Sequence, residues 1–514
     1  MKASSVTAPR RCGGIRHAPE RILMVLAKKK RDLDLTEGPL LGKILLFVLP
    51  LMASNLLQTL YNAADMMVVG LSHEANAVGA IGTTGAFINM ILNVFVGFSA
   101  GANVVVARHI GAKDEEAVSR TVHTAIFMSL IFGFVGMGLG FATSRPMMML
   151  LGNRGNLLDL SVTYTYIYFA GVPFISLTNY LISILRAKGD TKTPLLVLML
   201  SGLLNVALNL FFVLVCHLSV EGVALATVIA NAVSAIALLV ILMRDKGPCR
   251  FSFKKLRIER HAFINILYIG VPAGIQGALF SISNMLIQSS IIRVNNGYGY
   301  DPNGYQPVVD GNAAAANLEG FVYTATNAIC QAAITFTSQH LGAMKLHRIK
   351  RVMGTCYLVT FIIAAICSAL LMLLHRPLLA LYGVTNTSGD PMHDLAFHTA
   401  LTRMLWIIIP YFLLAFMEVG GGIVRGLGKS ITSTIVSLLG ACLFRVVWIS
   451  TAFNYVMNVS TPENGLVTIF LSYPISWILT ALIHFCCATA ALNKMIKRFG
   501  PESEAASQPA TKRS

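Results

Sequence analysis

Twelve apolar stretches follow one another along the chain, separated by polar connections. They lie at 44–71, 77–106, 121–143, 160–183, 193–215, 222–243, 262–292, 312–338, 352–374, 400–424, 431–456 and 465–492. A helix rises 1.5 Å per residue, so about 20 apolar residues cross a hydrocarbon core of about 30 Å. The pattern predicts an all-α polytopic membrane protein with twelve transmembrane helices. The first stretch begins at Gly42 and holds no charge between Lys43 and Asp65. Within it Asn55, Gln58, Asn62 and Asp65 recur at helical spacing, and Tyr61 stands one turn before the acid. An aspartate inside a spanning helix costs roughly 2.5–3.5 kcal/mol, so such residues face a cavity or a partner. The plainer reading is an acid near a helix end reaching for water, for which Asp is short. Asp65 is therefore the first candidate functional group.

Composition agrees with this pattern. The 514 residues are 55% hydrophobic and 12% charged, about half the charged fraction of soluble domains. A formal net charge of +17 would suggest nucleic acid in a soluble protein, but here the placement of the charges decides. With the N-terminus inside, 34 of the 40 Lys and Arg fall on the inner side of the twelve segments. That bias predicts both termini in the cytoplasm and a multi-pass protein of the plasma (inner) membrane, with lipid rather than nucleic acid around it. Nine scattered cysteines show no CxxC or Cys/His ligand spacing, which argues against a disulfide framework or a zinc site. Residues 1–23 are basic without an apolar core, unlike a cleaved signal, and Met24 offers a second start.

The chain repeats itself. Pro50 and Asn62 are matched by Pro272 and Asn284, RHIGA at 108–112 by QHLGA at 339–343, and ILRAKGDTKT at 184–193 by IVRGLGKSIT at 423–432. Arg145-Pro146 is likewise matched by Arg376-Pro377. Matches in one order indicate a duplication. Six segments per copy give both copies the same orientation, related by an axis along the membrane normal. The expected organisation is a cytoplasmic tail (1–41), an N-terminal six-helix bundle (42–243) and a basic linker (244–260). A C-terminal bundle (261–492) and a second tail (493–514) follow. Pro50 and Pro272 are the expected helix-bending positions, since each removes a backbone hydrogen bond.

Function should show where the copies differ. Asp65 is matched by Ile287, and Asn205 and Asn209, one turn apart, by Phe444 and Trp448. Asp65, Asn205 and Asn209 thus predict a polar centre in the N-terminal half, with Tyr164 and Asn179 as further members. Amide oxygens and a carboxylate suit sodium, a hard cation, or tune a proton site; asparagines also simply hydrogen-bond between helices. In the C-terminal half Glu319, Glu418 and Arg445 are the charged candidates. Glu418 and Arg445 are expected to form a buried pair. Glu319 either faces the cavity or pairs with Arg445. His123 and His484 lie inside segments with no nucleophile–base or metal-ligand spacing, so an enzyme is not expected.

These features carry a resemblance. LP…Q..YN..D at Leu49–Asp65, ARHIGAKDEE at 107–116, RAKGDTKTP at 186–194, LNVALN at 204–209 and TSQHLGA at 337–343 resemble the multidrug and toxic compound extrusion (MATE) family. The likeness runs from about Asp34 to Lys497. It implies twelve helices in two pseudo-symmetric six-helix bundles around a V-shaped cleft. It also implies a monomeric antiporter, without an organic cofactor, that exports cationic, amphipathic organic molecules in exchange for protons or sodium. One branch of that family uses an aspartate in helix one with an asparagine and an aspartate on helix five. Asp65 and Asn205 match it; Asn209 stands where the second acid is common, which removes a negative charge. Gln58, Tyr61, Tyr164 and Asn179 fit the same cavity pattern. The outer segment 295–312 is longer than usual for the family. A flippase for a lipid-linked precursor, from the wider superfamily, is the alternative function.

Overall fold

The computed structural model describes residues 35–70, 77–151, 153–299, 306–386 and 390–507. The N-terminal tail to 34, Cys12 and residues 300–305 of the long outer segment lie outside them. Among the described residues the regular structure is helical throughout. The helices are α1 (Leu40–Gly70), α2 (Ala77–Gly111), α3 (Glu115–Leu150), α4 (Gly155–Ala170), α5 (Val172–Lys188), α6 (Lys192–Val215) and α7 (Val220–Met243). The second half contributes α8 (Arg260–Gly297), α9 (Pro307–Gly342), α10 (Leu346–Leu373), the short α11 (His375–Ala380), α12 (Pro391–Ile408), α13 (Tyr411–Gly426), α14 (Ser430–Val459) and α15 (Pro462–Ser507). Their starts follow the sequence: Asp114 and Glu259 accept hydrogen bonds from the N–H groups of Ala117 (2.9 Å) and Ala262 (2.8 Å) to cap α3 and α8.

Nine of these helices are long and apolar enough to cross a membrane alone, and two more spans form if bent pairs are joined. The pairs are α4–α5, bent by 48°, and α12–α13, bent by 44°. Their breaks fall at Gly171 and Pro410, 239 positions apart, the offset that also relates 184–193 to 423–432. The duplication therefore extends to backbone irregularities. Pro50 and Pro272 instead sit inside unbroken helices. A further long helix, α9, has 36 residues but is too polar to qualify by composition. Its second half from Ala328 to His340 is almost wholly buried in protein.

The two halves are joined at the end that bears the basic loops. There α2 crosses α8 with the backbones touching. A Cβ added at Gly97 would fall on the backbone of Gly274, and one at Gly101 on the carbonyl of Ile266. Only glycine allows so close an approach. Nearby, a Cβ at Gly111 would fall on the carbonyl of Gln339, and one at Gly342 on that of Arg108. These four residues belong to the two repeated motifs RHIGA and QHLGA, so each copy makes the same contact with the other. Across the same seam Thr335 donates to Asn103 (3.1 Å) and Gln339 donates to the carbonyl of Ala187 (2.7 Å).

Helices α1 and α8 each change sides. Ile44, Phe47, Val48 and Leu51 at the start of α1 pack into a core made of α9, α10 and α13 residues such as Phe336, Val352 and Ile423. Val68 and Val69 near its end pack instead with Tyr164, Val213 and Val223 of the first half. In α8, Ile266 and Ile269 join a core of first-half residues, whereas Ile287, Ile291 and Val294 join that of the second half. Pro50 and Pro272 stand beside the last residues of these borrowed segments. Each proline thus marks where a helix passes from one core to the other.

The glycine seam gives a direct test. Gly97→Ala and Gly101→Ala should each cost about 1–3 kcal/mol of stability, because backbone cannot move aside as a side chain can. Gly85→Ala, whose Cβ meets nothing within 4 Å, should be neutral or stabilising by up to ~1 kcal/mol. Thermal unfolding of the purified variants measures the contrast. Equal midpoints for all three would show that the backbones do not touch.

Candidate functional site

The polar centre of the N-terminal bundle is built by three helices. Asp65 is near the end of α1, Asn205 and Asn209 lie on α6, and Thr227 lies on α7. Asp65 is 8% exposed, Asn205 5% and Asn209 not at all. Asn209 donates to Asp65 Oδ1 at 2.5 Å, and the Thr227 hydroxyl lies 3.4 Å from Asp65 Oδ2. Asn205 donates to Thr227 Oγ1 (3.3 Å), while its Oδ1 accepts from Asn209 at 3.4 Å. The i, i+4 spacing of the asparagines puts both amides on the face of α6 that meets α1 and α7. The wide helical turn Phe211–Val215 begins two residues after Asn209. Such turns interrupt the regular ladder and often accompany functional positions.

The chemistry of this donor set is oxygen-rich. It offers both carboxylate oxygens, two amide oxygens and one hydroxyl. Asn209 Oδ1 is enclosed and accepts no hydrogen bond among the described residues. A buried acceptor beside a buried carboxylate is costly unless a cation or proton sits between them. The arrangement therefore fits a single small cation: a proton on the carboxyl, or sodium ligated by oxygens.

Other sequence candidates are distributed differently. Tyr164 (6% exposed) packs with Val68 and Val69 beside the acid, and its ring lies 6.1 Å from that of Tyr168. Tyr61 reaches α6 instead, donating to the carbonyl of Met199 (3.2 Å) while its ring covers Gly202. Gln58 and Asn62 are exposed and stand apart from the buried cluster. Asn55 turns to the other half and donates to the carbonyl of Thr324 at 3.4 Å. Asn179 donates to Ile175 of its own helix (3.0 Å) rather than to the cluster. The single polar stripe read along α1 thus divides between several neighbours. Thr227 was not singled out from the sequence, although Thr227 and Asn231, one turn apart in an apolar segment, were the available signal.

The expected Glu418–Arg445 pair does not form. Glu418 has Arg425 as its cationic neighbour, whereas Arg445 Nε donates to Ser476 Oγ at 3.1 Å. Glu319 does not pair with Arg445 either; it accepts from Arg403 at 2.6 Å, with side chains 15% and 8% exposed. Arg403 also donates to Asn312 Oδ1 (2.7 Å). The physical reason is reach across neighbouring helices: Arg403 on α12 faces both acceptors on α9, while Arg445 on α14 faces the aromatic stripe of α15. Its guanidinium lies 4.1 Å from the Tyr473 ring centroid and 5.9 Å from that of Trp477.

Comparison with known proteins agrees with this fold. The sequence model of the MatE family matches residues 50–211 and 303–450. A probable multidrug resistance protein, YoeA of Bacillus subtilis (strain 168), is 25% identical over 445 residues, covering 85% of this chain and 91% of its own. The multidrug export protein MepA of Staphylococcus aureus (strain NCTC 8325 / PS 47) is 23% identical over 260 residues, covering 51% of this chain and 58% of its own. A crystal structure of MATE in complex with MaL6 superposes with a TM-score of 0.81 at 19% identity, over 91% of this chain and 100% of that one. An outward-facing multidrug resistance MATE transporter of the MOP superfamily gives 0.80 at 20% identity, over the same shares. With a helical fold of two related halves, and the family's model matching more than half its length, the chain belongs to the MatE family.

Proposed function

We propose that this protein is a secondary active exporter of organic compounds, mostly cationic and amphipathic, that exchanges its cargo for protons or sodium by alternating access. The observation that carries the reading is the sealed cluster of Asp65, Asn205, Asn209 and Thr227, with its unused acceptor on Asn209. The names of the similar proteins support multidrug export as the task. The excess of Lys and Arg in alternate loops supports placement in the plasma membrane, with both termini in the cytoplasm. The chain acts as a monomer, and its partners are small organic molecules and membrane lipids.

The coupling step follows from charge. A cation arriving at Asp65 neutralises the carboxylate, so α1, α6 and α7 can close around it without burying a net charge. With the cation gone, the charged acid favours an arrangement that admits water. Cargo must favour the opposite arrangement, because a ligand equal in both shifts nothing. The side-changing helices α1 and α8 connect such closure to the seam between the halves. No bond is made or broken in the cargo, and the protein is not an enzyme.

Two measurements test this. Purified protein in liposomes, given a proton or a sodium gradient separately, should drive a fluorescent organic cation uphill with one of them. Asp65→Asn should reduce that transport to the level of protein-free liposomes while eluting as a folded monomer. Gradient-driven export by the variant would remove Asp65 from coupling. In the sodium case, Asn209→Asp adds a second carboxylate and should lower the half-maximal sodium concentration about tenfold, equivalent to ~1.4 kcal/mol. An unchanged sodium dependence would count against the Asp65–Asn209 pocket as the ion site.

A further inference from the structure

The C-terminal bundle holds a buried charge, Arg445, with no carboxylate in ion-pair contact among the described residues. Arg445 is 4% exposed, and its one hydrogen bond among the described residues is Nε to Ser476 Oγ. Glu319 is the carboxylate within electrostatic range, but its Oε2 is taken by Arg403 at 2.6 Å. Two arginines therefore share one acid. The terminal nitrogens of Arg445 meet no acceptor among the described residues and, unlike Nε of Arg403, are not fully enclosed. On one side the guanidinium is covered by Tyr473, 7% exposed, and Trp477, 1% exposed. Stacking on aromatic faces offsets only part of the cost of removing a cation from water. What completes such a site is an oxyanion, whose two oxygens match the fork of a guanidinium.

We propose that Arg445, with Ser476 beside it and the Tyr473 and Trp477 rings as a wall, is a subsite for the carboxylate of an amphipathic substrate. The aromatic wall suits an organic group attached to that carboxylate better than a bare inorganic ion. This inference rests on the exporter reading and deepens it. The bland alternative is a structural arginine held by stacking alone, and it makes a different prediction.

The test uses the full chain in lipid nanodiscs and two dyes: a rhodamine with a free carboxyl group and the methyl ester of the same rhodamine. Fluorescence polarisation gives both dissociation constants. Wild type should bind the free acid more tightly than the ester. Arg445→Gln should weaken the acid at least about tenfold and leave the ester within about twofold. Arg445→Lys should restore part of the preference. Should Arg445→Gln fail to fold, the wild-type preference and the Arg445→Lys variant still decide. Equal binding of the two dyes by wild type, or equal losses in the variant, would overturn the subsite and leave the exporter reading standing. Trp fluorescence that responds to chloride alone, without preference between the dyes, would reassign the arginine to an inorganic ion and also overturn it. Binding of neither dye by wild type would overturn both readings.

Discussion

The rest of this structure depends on the contact of bare backbone across α2 and α8. Gly97 and Gly101 on one side meet Ala273, Gly274 and Gly270 on the other, with no side chain between. In a membrane, where lipid competes equally for apolar surface, such close packing is what holds helices together. It fixes the distance between the two bundles at one end, where Gly111 also meets the backbone of Gln339 and Gly342 that of Arg108. With that end fixed, relative motion of the bundles has to come from bending and tilting above the seam. The cores of α1 and α8 are arranged for this, since each helix is anchored in both bundles and carries a proline where it changes sides.

The two halves share this scaffold and have opposite chemistry. The N-terminal bundle buries an acid among amides and a hydroxyl, all neutral, so one small cation balances it. The C-terminal bundle buries Arg403 and Arg445 beside Glu319 and a stack of aromatic rings. Its Glu319–Arg403 pair is satisfied by Asn312 and flanked by Phe470 and Tyr473. Duplication supplied two equivalent frames; divergence placed a group of opposite sign in each. The sites are not copies: Arg445 comes from the helix equivalent to α6, but its side chain engages α15.

Much of this was legible from the residues. Each apolar stretch falls within one helix or one bent pair to within a residue or two, because a bilayer imposes a length that composition must meet. The offsets between copies located the seam motifs, and the mismatch of Asp65 with Ile287 located the acid. Pairings between helices were not legible. Helical spacing placed Asn55, Gln58, Asn62 and Asp65 on one broad face, yet that face spans several neighbours, and only Asp65 enters the cluster. Glu418 and Arg445 were matched as opposite charges in adjacent segments, whereas α14 turns Arg445 toward α15. Thr227 was overlooked because a threonine in an apolar helix most often bonds its own backbone, as it also does here to Val223.

Helix α9 bears on how such a chain is made. It carries Asp310, Asn312, Asn317, Glu319, Asn327 and Gln331 along a span that composition alone would not commit to lipid. The Thr324 carbonyl and Thr335 are met by Asn55 and Asn103 before it in sequence, and Asn312 and Glu319 by Arg403 after it. The helix is thus soluble in the protein rather than in the bilayer. During synthesis it cannot settle on its own; it needs α1 and α2 already in place and α12 still to come. The second bundle is therefore assembled on the first, and the two repeats, although related by duplication, are no longer separable folding units.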